Sequence, residues 1–159
     1  PITLVKNRLV LALPESTNFI PKSIEDLNNS KIRRIAIANP KLAPAGQYSK
    51  EALENLGLWN TLESKMVFAP DVRTTLAYIE SGNVDIGIVY STDVLSSEST
   101  KHIDIIPPNS HSPIVYPMVI IKSANHDKNI SKLIGYLKKP NAQEIFEKYG
   151  FIKGQFIAD

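Results

Sequence analysis

The candidate functional residues of this 159-residue chain are hydrogen-bond donors at the ends of three apolar runs. The segments are Pro44-Ala45-Gly46, Asp71-Val72-Arg73 and Tyr90. The first two are typical of helix N-termini, whose amide N–H groups lack partners and carry partial positive charge, so that they bind oxyanions. The backbone donors at Ala45 and Val72, converging with the Tyr90 hydroxyl, would suit a small, fully ionised tetrahedral anion.

Each of these features also has a purely structural explanation. Ala45 with Gly46 fits a tight helix start, and the Val72 side chain fits a core position. A tyrosine that ends a buried strand is usually packed, with its hydroxyl bonded locally. Arg73 could neutralise an anion but is equally placed for a surface ion pair. The site hypothesis therefore depends on the segments sharing one edge of a sheet.

The elements that would position them are three apolar runs at 35–38, 66–69 and 86–90, separated by helix-like segments at 47–56 and 72–81. Short apolar strands that alternate with amphipathic helices predict a parallel sheet in an α/β fold, because parallel neighbours need helical crossovers. In such sheets small molecules bind beyond the carboxyl ends of the strands. All three candidate segments follow those ends.

Further strands are predicted on both sides of this region, at 8–13, 101–106 and 114–121. Pro117 lies inside the last of them, which indicates an edge position or a bulge. The polar, turn-rich segment 109–113 is the best internal boundary.

The C-terminal segment is predicted to form two helices, each with a full apolar stripe. The stripe residues are Ile130, Leu133, Ile134 and Leu137 in the first helix, and Ala142, Ile145, Phe146 and Tyr149 in the second. We expect no sheet of comparable size in this segment to cover them. The stripes therefore indicate a partner layer outside the chain.

Composition excludes several classes of function. The 18 basic and 16 acidic residues are scattered, so that the chain has no footprint for nucleic acid or an anionic membrane. The absence of cysteine removes disulfides, thiolate catalysis and zinc–thiolate sites. No run approaches the ~18 apolar residues of a membrane span, and the first residues lack a signal-peptide cleavage site. The chain is accordingly either cytosolic or has lost its beginning.

Patterns for catalysis or for a bound cation are weak. Ser91-Thr92-Asp93 lacks a nucleophile elbow, there is no glycine-rich phosphate loop, and Glu51 with Glu54 is typical of a solvated helix face. The three histidines lack metal-ligand spacing: His102, His111 and His126. We expect a protein that is not an enzyme, has no cofactor and has no direct cation ligands.

Longer segments carry a family resemblance. They are IAIANPKLAPAGQYSKEALENLGLW (35–59), APDVRTTLAYIESGNVDIGIVYSTDV (69–94), the strand with Tyr116-Pro117, and LKKPNAQEIFEKYGF (137–151). From about Asn7 onward the chain resembles the periplasmic molybdate-binding (ModA) family of molybdate ABC importers. The resemblance implies a periplasmic-binding-protein type II, or venus-flytrap, architecture. It also implies a periplasmic solute-binding protein that captures molybdate or tungstate, delivers it to a permease with its ATPase, and is associated with the membrane through that transporter.

The same resemblance implies site residues and domain limits. It places anion contacts on the backbone of Ala45 and Val72 and on Tyr90, and it puts the family's remaining serine contacts before residue 1. It predicts residues 1–13 as a crossing strand from a truncated first lobe, and 14–112 as a complete parallel-sheet second lobe with half of the anion site. Residues 113–159 would hold the other crossing strand and the C-terminal helices of the first lobe. We therefore expect weak binding by this chain, and dimerisation or domain exchange through the uncovered helices.

Two alternatives stay open. A sulfate or phosphate receptor would use the same donors, because backbone amides respond to geometry more than to the element bound. The effector-sensing domain of a transcription regulator has a related architecture, but such a chain should begin with a helix-turn-helix and a basic face. Neither feature is present in the sequence.

Overall fold

A computed structural model describes residues 1–121 and 128–156. The chain divides into two compact units. We call Leu9–Ser112 the larger unit, and Pro1–Arg8 with Pro113–Asp159 the smaller unit. No helix of the described residues is long and apolar enough to cross a membrane.

The described residues form eight strands and six α-helices. The strands are β1 (Ile2–Asn7), β2 (Leu9–Pro14), β3 (Ile35–Ala38), β4 (Met66–Ala69), β5 (Ile86–Tyr90), β6 (Thr100–Ile103), β7 (Ile114–Met118) and β8 (Ile152–Lys153). The helices are α1 (Pro44–Asn55), α2 (Trp59–Leu62), α3 (Val72–Glu80), α4 (Ser91–Val94), α5 (Lys128–Leu137) and α6 (Pro140–Lys148). Short 3-10 helices span Ile24–Asn28, Glu63–Lys65 and Pro108–Ser110.

The larger unit is built on a five-stranded sheet with the order β4-β3-β5-β2-β6. Strand β3 pairs in parallel with both β4 and β5, which confirms the parallel sheet predicted for the central region. The sheet is nevertheless mixed, because β2 runs antiparallel to its neighbours β5 and β6. Every residue of β2 is buried, as its apolar sequence LVLALP requires for a position inside the sheet.

Helix α3, predicted over 72–81, buries an apolar stripe against this sheet. Leu76 and Ile79 pack in one cluster with Val10, Ala36 and Val89. The stripe repeats at helical spacing, so that one face of α3 covers the strands while the opposite face stays in solvent. This packing fixes the start of α3 relative to the strand ends.

The smaller unit contains a three-stranded antiparallel sheet with the order β7-β1-β8. Within the described residues β7 is an edge strand, and the pairing of β1 with β7 is irregular between Thr3 and Val5. The prediction of an edge position or a bulge at Pro117 is therefore confirmed, since β7 lies at the edge and the irregularity adjoins Pro117.

The start of the chain differs from the prediction of one crossing strand within 1–13. Two strands lie there, and they are separated at Asn7-Arg8, where the Arg8 amide donates to the Asn7 side-chain oxygen at 2.9 Å. Residues 9–13 belong to the larger unit because β2 pairs with β5 and β6.

Several predicted limits also shift. Helix α1 begins at Pro44 rather than at residue 47, because proline is favoured in the first helical turn. The strands predicted at 101–106 and 114–121 end earlier, at Ile103 and Met118. His126 lies outside the described residues.

Candidate oxyanion-binding site

The connection from β3 to α1 forms a compact turn beyond the carboxyl end of the strand. The Asn39 amide donates to the Ala69 carbonyl at 2.7 Å, while the Asn39 carbonyl accepts from the amides of Leu42 and Ala43 at 3.0 Å. The Asn39 side-chain oxygen accepts from the Lys41 amide at 2.9 Å. These bonds tie the turn to β4 and deliver the chain to the first residue of α1.

Gly46 lets α1 begin directly against the end of β3. A Cβ atom at this position would overlap the backbone carbonyl of Ala38, so that only glycine permits so close an approach. Ala45, the second residue of α1, is 2% exposed. Its amide lies in the first helical turn, where N–H groups have no partner within the helix.

Val72 is the first residue of α3, and Asp71 is its N-cap. The Asp71 carboxylate accepts from the Thr74 amide at 2.8 Å, and the Asp71 carbonyl accepts from the Thr75 hydroxyl at 2.8 Å. The Thr74 amide is the main reason why the pKa of Asp71 lies below its ordinary value. The cap bonds the amide of Thr74, the third helical residue, and not the amide of Val72. The Val72 amide therefore lies at the N-terminal end of α3 without being used by this cap.

Tyr90 is the last residue of β5, pairs with Leu9 on β2, and is followed at once by α4. Its amide donates to Oδ2 of Asp93 at 2.9 Å. Burial raises the pKa of Asp93, and the Tyr90 amide and the charge of Arg73 oppose that rise. Arg73 thus has a carboxylate near it and is not an isolated positive charge.

The structure brings the three predicted site residues into one cluster. Buried Ala38, Ala43 and Ala45 pack together, and partly buried Val72 and Tyr90 pack against them. The starts of α1 and α3 and the end of β5 therefore meet at one edge of the sheet of the larger unit. Their role as ligand contacts stays a prediction.

Sequence reasoning missed polar contacts of two acidic residues. One missed role is that of Asp93, whose bond to the Tyr90 amide has a sequence signal in an acidic residue three positions after a strand end. Glu51 lies on a largely solvated helix face, as predicted, but the prediction omits its bonds to Ser112: Oε1 accepts from the Ser112 amide and hydroxyl at 2.9 and 2.7 Å. Among the described residues, no group of three or more His, Cys, Asp or Glu side chains could hold a metal ion.

The sheet of the larger unit, with two helix starts beyond its strand ends, has the architecture of a solute-binding protein. Residues 1–152 match the family model for bacterial extracellular solute-binding proteins, and the chain belongs to that family.

Two curated relatives are longer than this chain. It is 42% identical over 148 residues to the putative ABC transporter substrate-binding lipoprotein YvgL of Bacillus subtilis, covering 93% of this chain and 56% of the relative. It is 37% identical over 153 residues to the molybdate-binding protein ModA of Escherichia coli, covering 94% of this chain and 59% of the relative. The chain thus spans little more than half the length of these relatives.

Solved structures have the same fold. The substrate-binding domain of a putative molybdenum ABC transporter from Clostridium difficile matches with a TM-score of 0.89 and 36% identity, covering 96% of this chain and 66% of that one. The periplasmic molybdate-binding protein of Azotobacter vinelandii matches with a TM-score of 0.73 and 29% identity, covering 96% and 68%. These matches confirm the predicted α/β fold class of periplasmic-binding-protein type II.

Proposed function

We propose that this chain forms part of a binding site for molybdate or tungstate in an extracytoplasmic solute-binding protein. The backbone amides of Ala45 and Val72 and the hydroxyl of Tyr90 would donate hydrogen bonds to the oxyanion. The observation that carries the proposal is the packing of these three residues in one cluster, at the starts of two helices and the end of a strand. Relatives named for molybdate binding support the choice of ligand.

Neutral donors suit this ligand chemically. A hydrogen bond to an ionised group contributes about 1.5–3 kcal/mol, and helix N-termini add favourable partial charge. A fully ionised tetrahedral anion presents only acceptors, so that a site of N–H and O–H donors satisfies it without a basic side chain. The protein would contact the oxygen atoms of the anion and not the metal atom.

The wider role follows from the family and the names of the relatives. We propose that the protein delivers the anion to an ABC permease with its ATPase and is associated with the membrane through that transporter. The ligand is cargo, and the proposal requires neither a cofactor nor a catalytic step.

Self-association is a further part of the proposal. Helices α5 and α6 expose large apolar side chains, which favour pairing with a second copy. The most exposed of them are Leu133, Tyr136 and Ile145, and Tyr149 directly after α6 is exposed as well. Light scattering should report a concentration-dependent dimer, and a monomer at high concentration would contradict this part.

Calorimetric titration tests the proposed site. The chain should bind molybdate and tungstate more tightly than sulfate or phosphate, and Tyr90→Phe should weaken molybdate binding by about tenfold or more, because one donor to the anion is lost. Tyr136→Phe on α5 is the control, since it removes a phenol hydroxyl from an exposed position in the smaller unit.

Unchanged affinity in Tyr90→Phe would remove Tyr90 from the site. Preference for sulfate would favour the alternative receptor.

A further inference from the structure

Asp93 closes the turn that ends β5. It is half-buried on α4, three residues after Tyr90, and its Oδ2 accepts the Tyr90 amide at 2.9 Å. This is the reciprocal half of a capping box, in which the third helical residue bonds back to the amide of the N-cap. Tyr90 is held there in an extended conformation, with φ −79° and ψ 151°.

Asp93 also acts on the start of α3. Helices α3 and α4 pack against each other, and the positive charge of Arg73 acts on the Asp93 carboxylate. Arg73 is the second residue of α3 and directly follows Val72. A cation is unfavourable in the first turn of a helix, so nearby carboxylates offset its charge there. Asp93 therefore binds the main chain of one site residue and attracts the neighbour of another.

We propose that Asp93 is a positioning residue of the oxyanion site: its bond to the Tyr90 amide sets the backbone of Tyr90 and, through it, the direction of the phenol hydroxyl. The inference rests on the proposed function. It differs from a role in anion contact, because Asp93 acts through Tyr90. A carboxylate facing a dianion directly would repel it, whereas a carboxylate that is bonded to an amide and lies in the field of the Arg73 charge is partly compensated.

Two substitutions separate positioning from charge. Asp93→Ala removes the acceptor, so that the Tyr90 amide loses its partner and the turn loosens. Asp93→Asn keeps an oxygen of the same reach, which can accept the Tyr90 amide, and replaces the other carboxylate oxygen with an uncharged NH2 group.

A second aspartate provides a matched control. Asp26 is the third residue of the 3-10 helix Ile24–Asn28, and its Oδ2 accepts from the amides of Lys22 and Ser23 at 2.7 and 3.3 Å. Asp26→Ala therefore removes the same kind of cap from the larger unit, away from the clustered site residues.

The test combines molybdate titration with hydrogen exchange at the Tyr90 amide. Asp93→Ala should weaken molybdate about tenfold, Asp93→Asn should stay within about threefold of the unchanged chain, and Asp26→Ala should leave affinity unchanged. In the ligand-free chain, exchange at Tyr90 should accelerate in Asp93→Ala and return toward the original rate in Asp93→Asn.

Three results overturn the inference: full affinity in Asp93→Ala, equal weakening in Asp93→Asn and Asp93→Ala, or exchange at Tyr90 that does not respond to Asp93. Accelerated exchange in Asp93→Ala together with no molybdate binding by the unchanged chain would instead refute the proposed function. The role of Asp93 at an anion would then fall with it, while its hold on Tyr90 would stand.

Discussion

Helices in the two units carry similar apolar stripes but bury them to different extents. In the larger unit Ile79 of α3 is 0% exposed, whereas in the smaller unit Leu133 of α5 and Ile145 of α6 are 56% and 54% exposed. Helix α3 covers a five-stranded sheet, while the described part of the smaller unit has three strands. The stripe thus predicts a helix, but a partner layer decides whether the stripe stabilises the fold.

Helix α6 compensates in part with a buried polar side chain. Gln143 donates through Nε2 to the carbonyls of Leu137 at 2.9 Å and Leu4 at 3.3 Å, and its Oε1 accepts from the Gly154 amide at 3.0 Å. One side chain therefore joins α6 to the end of α5, to β1 and to the segment after β8. Directed polar contacts hold the smaller unit at this point, where apolar packing holds the larger one.

The largest expected effect comes from truncating a buried stripe. Ile79→Ala should cost about 2–5 kcal/mol of unfolding free energy, because it leaves a cavity between α3 and the sheet. At concentrations where the chain is monomeric, Leu133→Ala should cost less than about 1 kcal/mol, since its side chain then contacts solvent. Urea denaturation followed by emission of the single tryptophan, Trp59, measures the larger unit, and hydrogen exchange in α5 measures the smaller. Equal costs would contradict the comparison.

Two glycines extend the comparison to the backbone. Gly46→Ala should destabilise the larger unit by about 1–3 kcal/mol, because the added Cβ must displace α1 from the end of β3. Gly135→Ala should stabilise α5 by about 0.5–1 kcal/mol, since a Cβ there meets no atom within 4 Å and alanine favours the helix. Urea denaturation of the larger unit measures the effect of Gly46→Ala, and helicity by circular dichroism measures that of Gly135→Ala. A stabilising Gly46→Ala would show that α1 does not depend on this close approach.

The smallest effect concerns the end of the larger unit, where Glu51 accepts from Ser112. The Ser112 amide and hydroxyl, with a contribution from His111, lower the pKa of Glu51 below 4.5. When the pKa of a carboxyl group is lower in the folded state than in the unfolded state, its ionised form stabilises the fold. This stabilisation is fully present above the pKa of the unfolded state and is lost as the pH falls through the pKa of the folded state. At neutral pH, Glu51→Gln should therefore cost less than about 1 kcal/mol.

Denaturation at a series of acidic pH values measures this difference. It should shrink as the pH falls below 4.5. Glu54→Gln is the control on the same helix, since Glu54 pairs only with exposed Lys50 among the described residues. A difference that is independent of pH would contradict the role of the carboxylate.

The central region was predictable because its signals are local. Strands 35–38, 66–69 and 86–90 are apolar runs bounded by turn residues, and the segments containing Ala45 and Val72 carry recognisable helix starts. The position of β2 within the sheet could not be predicted from local signals. Its pairing of Leu9 with Tyr90 joins residues that are far apart in sequence. The bond from the Tyr90 amide to Asp93 has a local signal, whereas the packing of Asp93's helix α4 against α3 joins residues that no local pattern relates.

The proposed anion site is tested most directly by titrating a variant that lacks one backbone donor. Val72→Pro deletes the N–H at the first position of α3, where proline is favoured, and Asp71 before it is already extended at φ −151° and ψ 175°. Val72→Ala shortens the side chain and keeps the amide. We expect calorimetry to find molybdate binding about tenfold or more weaker in Val72→Pro than in Val72→Ala, with equal helicity. Equal affinity in the two variants would contradict the proposed anion site.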